Sequence, residues 1–292
     1  MDDYNNAIEI KGITKRFDGF TLDNVSFEVP KGSIMGYIGQ NGAGKTTTIR
    51  SLLNIIPIDN GEIRLLGLDH IKDEAKIKQR IAVVFDEVPF HDIFNANDMS
   101  KIFEGLYVQW DNGIYKEYLD RFQLPCRKKI GQFSKGMKMK LQIACALSHN
   151  AELLIMDEPT TGLDPVVRDE ILHIFMEYLE TGERSILMSS HITGDLEKIA
   201  DSVTYIDKGK ILISGYKDEI LEKHGVIKCS KEELKTIDPK DIISARINNF
   251  GAEAMVYDKE AMHYKNSDLL IDPTSLEEIM LYYVNKEKKE WS

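Results

Sequence analysis

Long hydrophobic runs, paired cysteines and an excess of positive charge are all missing from this 292-residue chain. Its longest apolar stretches, such as Leu153-Leu154-Ile155-Met156, are strand-sized. A membrane-spanning helix needs roughly 18 apolar residues, and no window approaches that. The three cysteines, Cys126, Cys145 and Cys229, stand far apart with no C-x-x-C pair. Neither a disulfide framework nor a zinc site is expected, and the chain reads as a reduced, cytosolic protein. Lysine and arginine total 37 against 48 aspartates and glutamates, a net charge of −11. That balance lacks the electrostatic footprint of general nucleic-acid binding, so no nucleic-acid partner is expected. Met1-Asp2-Asp3-Tyr4-Asn5-Asn6 is acidic and polar, unlike the start of a signal peptide. Repeats and low-complexity tracts are also lacking. With 42% apolar and 29% charged residues, a mainly disordered chain is excluded.

At roughly 150 residues per domain, the length suits about two domains. Ile8-Glu9-Ile10 and Val25-Ser26-Phe27-Glu28-Val29 alternate apolar with polar or small residues, the period of a strand. Residues 33–38 are mostly apolar, as in a strand buried on both faces. They run into a glycine-rich loop and a helical pattern over about residues 44–55. Residues 81–85 form another buried-type strand. From about 97 to 149 helical spacing dominates. Strand character returns at 153–156, 185–189, 203–206 and 210–213. Between them a helix is expected over 165–180, with Asp164 as its N-cap and Pro165 in its first position. Strands alternating with helices predict an α/β fold around a parallel sheet, with the helical stretch as an insertion. After about residue 222 the pattern changes. Leu276, Ile279, Met280, Tyr283 and Val284 mark one face of a final helix, expected to pack on a small sheet of its own. The expected division is therefore 1–222 and a small α+β accessory domain over 223–292.

Gly39-Gln40-Asn41-Gly42-Ala43-Gly44-Lys45-Thr46 fits G-x-x-x-x-G-K-[ST], after a buried strand and opening a helix. Glycines let backbone N–H groups wrap a phosphate, and the helix N-terminus adds its positive end. Lys45 should reach the β- and γ-phosphates, the Thr46 hydroxyl should ligate Mg²⁺, and Thr47 should touch the α-phosphate. No N-K-x-D guanine signature is present; Asn285-Lys286-Glu287-Lys288 ends in the wrong residue. A GTPase is therefore disfavoured.

Leu153-Leu154-Ile155-Met156-Asp157-Glu158 is a hydrophobic strand ending in two acids. Asp157 at the tip suits Mg²⁺ or its water shell. Glu158, pointing elsewhere, suits the orientation or deprotonation of an attacking water. His191 follows the strand at 185–189, where it could sense a γ-phosphate. In Phe133-Ser134-Lys135-Gly136-Met137, Ser134 is an N-cap residue type and Gly136 lets a phosphate approach the backbone.

Together these motifs resemble the nucleotide-binding subunit of an ATP-binding cassette (ABC) transporter, over about residues 7–222. They match Walker A (39–46), the signature (134–137), Walker B (153–157), Glu158, the D-loop Gly162-Leu163-Asp164 and the switch His191, in order and spacing. The resemblance implies a P-loop NTPase fold: a parallel-sheet core, an N-terminal antiparallel β subdomain and a helical subdomain at about 97–149. It also implies an ATPase using ATP and Mg²⁺. Phe17 matches the aromatic that stacks on adenine. Two cassettes, identical or not, would face each other head to tail. Each ATP would be sandwiched between Walker A of one and Ser134 and Gly136 of the other, with Asp164 in the same interface. Separate permease subunits would contact the groove near residues 86–100, holding the chain peripherally on the inner face of the cell membrane.

Two positions depart from the family pattern. The signature reads Phe-Ser-Lys-Gly-Met where Leu-Ser-Gly-Gly-Gln is usual. Its Ser-Lys-Gly-Met-Lys form resembles ABC-2-type exporters, including those for bacitracin and other antimicrobial peptides. At the Q-loop position stands Asp86, a carboxylate able to ligate Mg²⁺ but adding negative charge beside a triphosphate. An exporter ATPase is the leading reading. The alternatives are an ABC ATPase without a permease, acting in translation or on DNA, and a weakly hydrolysing nucleotide-gated scaffold.

Overall fold

The computed structural model describes residues 4–266 and 269–285. A six-stranded sheet runs through the middle of the chain. Its strands are β3 (Ile34–Ile38), β6 (Ile81–Val84), β7 (Leu153–Asp157), β8 (Ser185–Ser190), β9 (Ser202–Asp207) and β10 (Lys210–Tyr216), in the order β10-β9-β3-β8-β7-β6. All neighbours are parallel except β9 and β10, which form an antiparallel hairpin at one edge. The apolar runs in the sequence reflect burial on both faces. Ile34, Ile38, Leu154, Met156, Ile186 and Met188 point into one core; Met35, Tyr37, Leu153, Ile155 and Leu187 point into the other. That is the two-residue period of a strand.

The second core lies under a four-stranded antiparallel sheet of order β2-β1-β4-β5, built from β1 (Asn6–Phe17), β2 (Phe20–Pro30), β4 (Asn60–Leu65) and β5 (Leu68–Asp69). Helix α1 (Lys45–Leu52) follows β3, and α2 (Glu74–Arg80) leads into β6. The sequence pattern showed neither β4, β5 nor α2. In α2 only Ile77 is buried, so no apolar face repeats.

Between β6 and β7 lie α3 (Ala96–Leu106), α4 (Asn112–Arg121), a 3-10 turn (Ile130–Gln132) and α5 (Lys135–Leu147). Helix α6 (Pro165–Leu179) starts where the sequence placed it: Asp164 accepts from the N–H groups of Val166 and Val167, and Pro165 takes the first position. Helix α7 (Thr193–Ile199) follows β8, and α8 (Lys217–Lys223) follows β10.

A third sheet, order β12-β13-β11-β14, contains β11 (Gly225–Cys229), β12 (Ile242–Ile247), β13 (Ala252–Val256) and β14 (Ile271–Asp272), with α9 (Lys231–Leu234), α10 (Lys259–Lys265) and α11 (Leu276–Val284). The final helix does not rest on this sheet alone. It lies between β12 and α7, and Leu276, Ile279 and Met280 meet Val203 and Tyr205 of β9 and Ile220 of α8. The Leu276 N–H donates to Glu197 Oε1 on α7 at 2.5 Å.

Candidate functional site

The chemistry-bearing residues gather at the carboxyl ends of β3, β7 and β8, where open α/β sheets hold their ligands. β8 lies between the other two, so Ser189 has Tyr37 on one side and Asp157 on the other. The loop after β3 must turn sharply into α1. Gly44 does so at φ 116°, a conformation open to glycine. A Cβ there would meet the Phe20 ring at 3.1 Å, and one on Gly39 would lie 2.6 Å from Ile206 O.

The result is a cleft of about 510 Å³. Gln40, Asn41, Gly42, Gly44, Lys45, Thr46 and Thr47 line one side, and Asp86, Asp157 and Glu158 the other. Gly39 and Ala43 complete the loop behind this wall. Lys45 is only 5% exposed. Its ammonium donates to Gly39 O at 2.6 Å and Gln40 O at 3.2 Å, and pairs with Glu158 Oε1 at 3.1 Å.

Glu158 is the hub. Its backbone takes φ 53°, and its N–H is held by Ser189. Oε2 accepts from Thr161 Oγ1 at 2.8 Å and from the His191 ring N–H at 2.7 Å. Oε1 has Lys45 beside it but no directed hydrogen bond. Burial alone would push this carboxyl up; Lys45, Thr161 and His191 outweigh it and hold the pKa below the ordinary value. Asp157 is 6% exposed, and its Oδ1 accepts from Ser189 Oγ at 2.7 Å. Nothing in the sequence marks Ser189 and Thr161, because hydroxyl residues beside a strand end carry no signal of their own.

Thr46 and Asp157 bring hard oxygen donors to the same cleft, which suits Mg²⁺. Among the described residues no cluster of three or more His, Cys, Asp or Glu could hold a metal alone. Thr46 and Asp157 are the residues that would hold such an ion, which would neutralise phosphate charge there.

The remaining expected residues lie apart from this wall. Ser134 caps α5, its Oγ accepting from Met137 N–H at 3.2 Å; it is exposed, and Gly136 is half-buried. Asp164 is exposed at the cap of α6. Phe17 is 44% exposed near the β1–β2 turn, and it is Phe20, 6.4 Å away between ring centroids, that lines the cleft. The two departures from the family pattern touch: Lys135 Nζ lies 2.8 Å from Asp86 Oδ1.

Comparison with known proteins gives the family of the chain. The family model described as ABC transporter matches residues 22–161. A second model, an AAA domain described as a putative AbiEii toxin, matches 129–194. The chain is 31% identical over 218 residues to the ABC transporter ATP-binding protein YtrB of Bacillus subtilis, covering 74% of each. It is 36% identical over 194 residues to the bacitracin transport ATP-binding protein BcrA of Bacillus licheniformis, covering 66% of this chain and 63% of that one. A solved structure described as the ATP binding subunit of an ABC transporter superposes with a TM-score of 0.67 at 26% identity, over 73% of this chain and 91% of the other. The chain therefore belongs to the ATP-binding subunits of ABC transporters, whose members hydrolyse ATP to power transport.

Proposed function

We propose that this chain is the ATPase of an ABC-2-type exporter and works on the inner face of the cell membrane through separate permease subunits. The observation that carries the reading is the single cleft in which the 39–46 loop faces Asp157 and Glu158. A triphosphate and a hydrolytic water need those two groups together.

Two copies, or this chain and a related one, close over ATP head to tail. Ser134 and Gly136 support this, since they stand outside the wall of their own cleft and their phosphate would belong to the other subunit. Asp164 lies in that interface. Lys45 holds the β- and γ-phosphates, Thr47 the α-phosphate, and Phe17, with Phe20, the adenine. Thr46 and Asp157 hold Mg²⁺, which when bound neutralises phosphate charge; Asp86 offers one more oxygen. Glu158 takes the proton of the attacking water, and His191 orients Glu158 and senses the γ-phosphate. ATP bridges the subunits and ADP does not, so hydrolysis lets them part.

Among the described residues no helix is long and apolar enough to cross a membrane, so transport needs a membrane partner. A mainly apolar groove of about 400 Å³, lined by Leu52, Leu53, Phe85, Leu106 and Tyr107, ends at the residue before the 86–100 segment, and its nearness supports permease docking on that side. One relative's name concerns bacitracin, and the signature has the Ser-Lys-Gly-Met-Lys form. By that likeness the cargo is a peptide, antimicrobial or related amphipathic compound. Residues 1–222 act as the nucleotide-binding unit, and 223–292 as an accessory unit that steadies the dimer.

The test is purification of the tagged chain from its own membranes. The reading expects a polytopic membrane protein to copurify and the complex to hydrolyse Mg-ATP. A chain found only with ribosomes or nucleic acid, or one without steady-state ATPase activity, would contradict it.

A further inference from the structure

Asp86 and Lys135 are 49 positions apart in sequence, and each departs from the family pattern. In the fold they form one ion pair at 2.8 Å. The contact belongs to a longer seam. Lys135, Lys138 and Gln142 sit at i, i+3 and i+7, one face of α5. Lys138 Nζ reaches Asp92 Oδ1 at 3.0 Å. The Gln142 amide accepts from Phe85 N–H at 2.8 Å and donates to Phe85 O at 2.9 Å. Three successive contacts thus tie the signature helix to the segment after β6. Lys135 also leans over the D-loop: a Cβ on Gly162 would lie 3.3 Å from its ammonium.

We propose that Lys135 is a positioning residue that couples the occupancy of its own cleft to the signature surface it offers the other subunit. Asp86 forms part of the cleft wall, so one carboxylate serves either Lys135 or a divalent ion bound with the triphosphate. When Asp86 turns to the ion, Lys135 loses its anion and becomes available to the phosphates held by the partner, beside Ser134. Both side chains are about half exposed, at 47% and 41%. An exposed ion pair is weak enough to be exchanged in this way. The proposal rests on the head-to-tail reading above for its second half only.

The test compares ATP binding by the dilute chain with and without magnesium, in Lys135→Gln, Asp86→Asn and the double variant. The readout is the ratio of the two dissociation constants, and the double variant controls for the general loss of a positive charge, which by itself weakens free ATP more than its magnesium complex. Lys135→Gln frees Asp86 and should raise the magnesium enhancement about three- to fivefold, the size of an exposed ion pair. Asp86→Asn should lower it, and the double variant should match Asp86→Asn. ATP-driven dimerisation in a Glu158→Gln background should weaken about tenfold with Lys135→Gln. An unchanged magnesium ratio in Lys135→Gln would overturn the proposal, as would a double variant that keeps the raised ratio. If the Glu158→Gln parent never dimerises with ATP, the head-to-tail reading falls, and the magnesium ratio alone decides the coupling.

Discussion

Lys45 and Glu158 meet across the cleft, the lysine ammonium 3.1 Å from a carboxylate oxygen. The residue assigned to the phosphates therefore neutralises the residue assigned to the attacking water. On the proposed roles, phosphate entering the cleft would compete with Glu158 for that ammonium, coupling ATP binding to the release of Glu158. Lys45→Ala should weaken ATP binding by more than about tenfold, the loss of about 1.4 kcal/mol or more, as read by nucleotide titration. Its unfolding midpoint should shift less than its affinity, because Thr161 and His191 still partner the carboxylate.

Ser134 combines two roles, and two substitutions separate them. Ser134→Ala removes the cap on Met137 N–H and should lower stability by about 1 kcal/mol. Ser134→Asp keeps an N-cap acceptor but brings negative charge toward the other subunit's phosphates. Stability should then be retained while steady-state ATPase activity falls. ATP affinity of the dilute monomer should stay near wild type in both. A matching loss of monomer affinity would contradict the composite site.

The two phenylalanines of the β1–β2 turn, Phe20 in the cleft wall and Phe17 outside it, give a third prediction. Stacking of a base on an aromatic ring is worth about 1–3 kcal/mol. Phe17→Ala should weaken ATP binding by about that amount and leave tripolyphosphate binding unchanged in competition assays. Phe20 lines the cleft and lies against Gly44, so Phe20→Ala should also disturb tripolyphosphate.

Buried histidines set an acid limit. His149 stacks on Tyr107 and lies by Ile81 O; His224 bridges Ile220 O and Tyr283 Oη. Burial is the largest effect on each and lowers both from the ordinary 6.5, against partial support from backbone carbonyls. His70 is lowered for the same reason. A lowered folded-state value means that the unfolded chain binds protons first. Stability is thus full above pH 6.5 and is lost as pH falls through the folded values. The thermal midpoint should begin to drop as pH falls below 6.5, above the range where carboxylates titrate. His149→Gln and His224→Gln should each flatten that slope.

Much of this was legible in the chain. β3, β7 and β8 announce themselves as apolar runs because both faces are buried, and the 39–46 loop carries its own chemistry. The residues that tune the site were harder to see. Phe17 and Phe20 look alike in sequence, and only the β1–β2 turn shows which one reaches the cleft. Thr161 and Ser189 are common residue types given meaning by the register of β7 and β8. Asp86 and Lys135 each stood out as departures, but a contact across 49 residues needs the fold. The amphipathic face of α11 was visible; its second partner, α7, was not.

The account rests on ATP joining two subunits, and Glu158→Gln tests this most directly. Light scattering should find the variant monomeric with ADP and dimeric with Mg-ATP, with turnover reduced by about 10²–10⁴-fold, as for loss of a general base. A variant that stays monomeric with Mg-ATP at every concentration, or hydrolyses it like the wild type, would contradict the account.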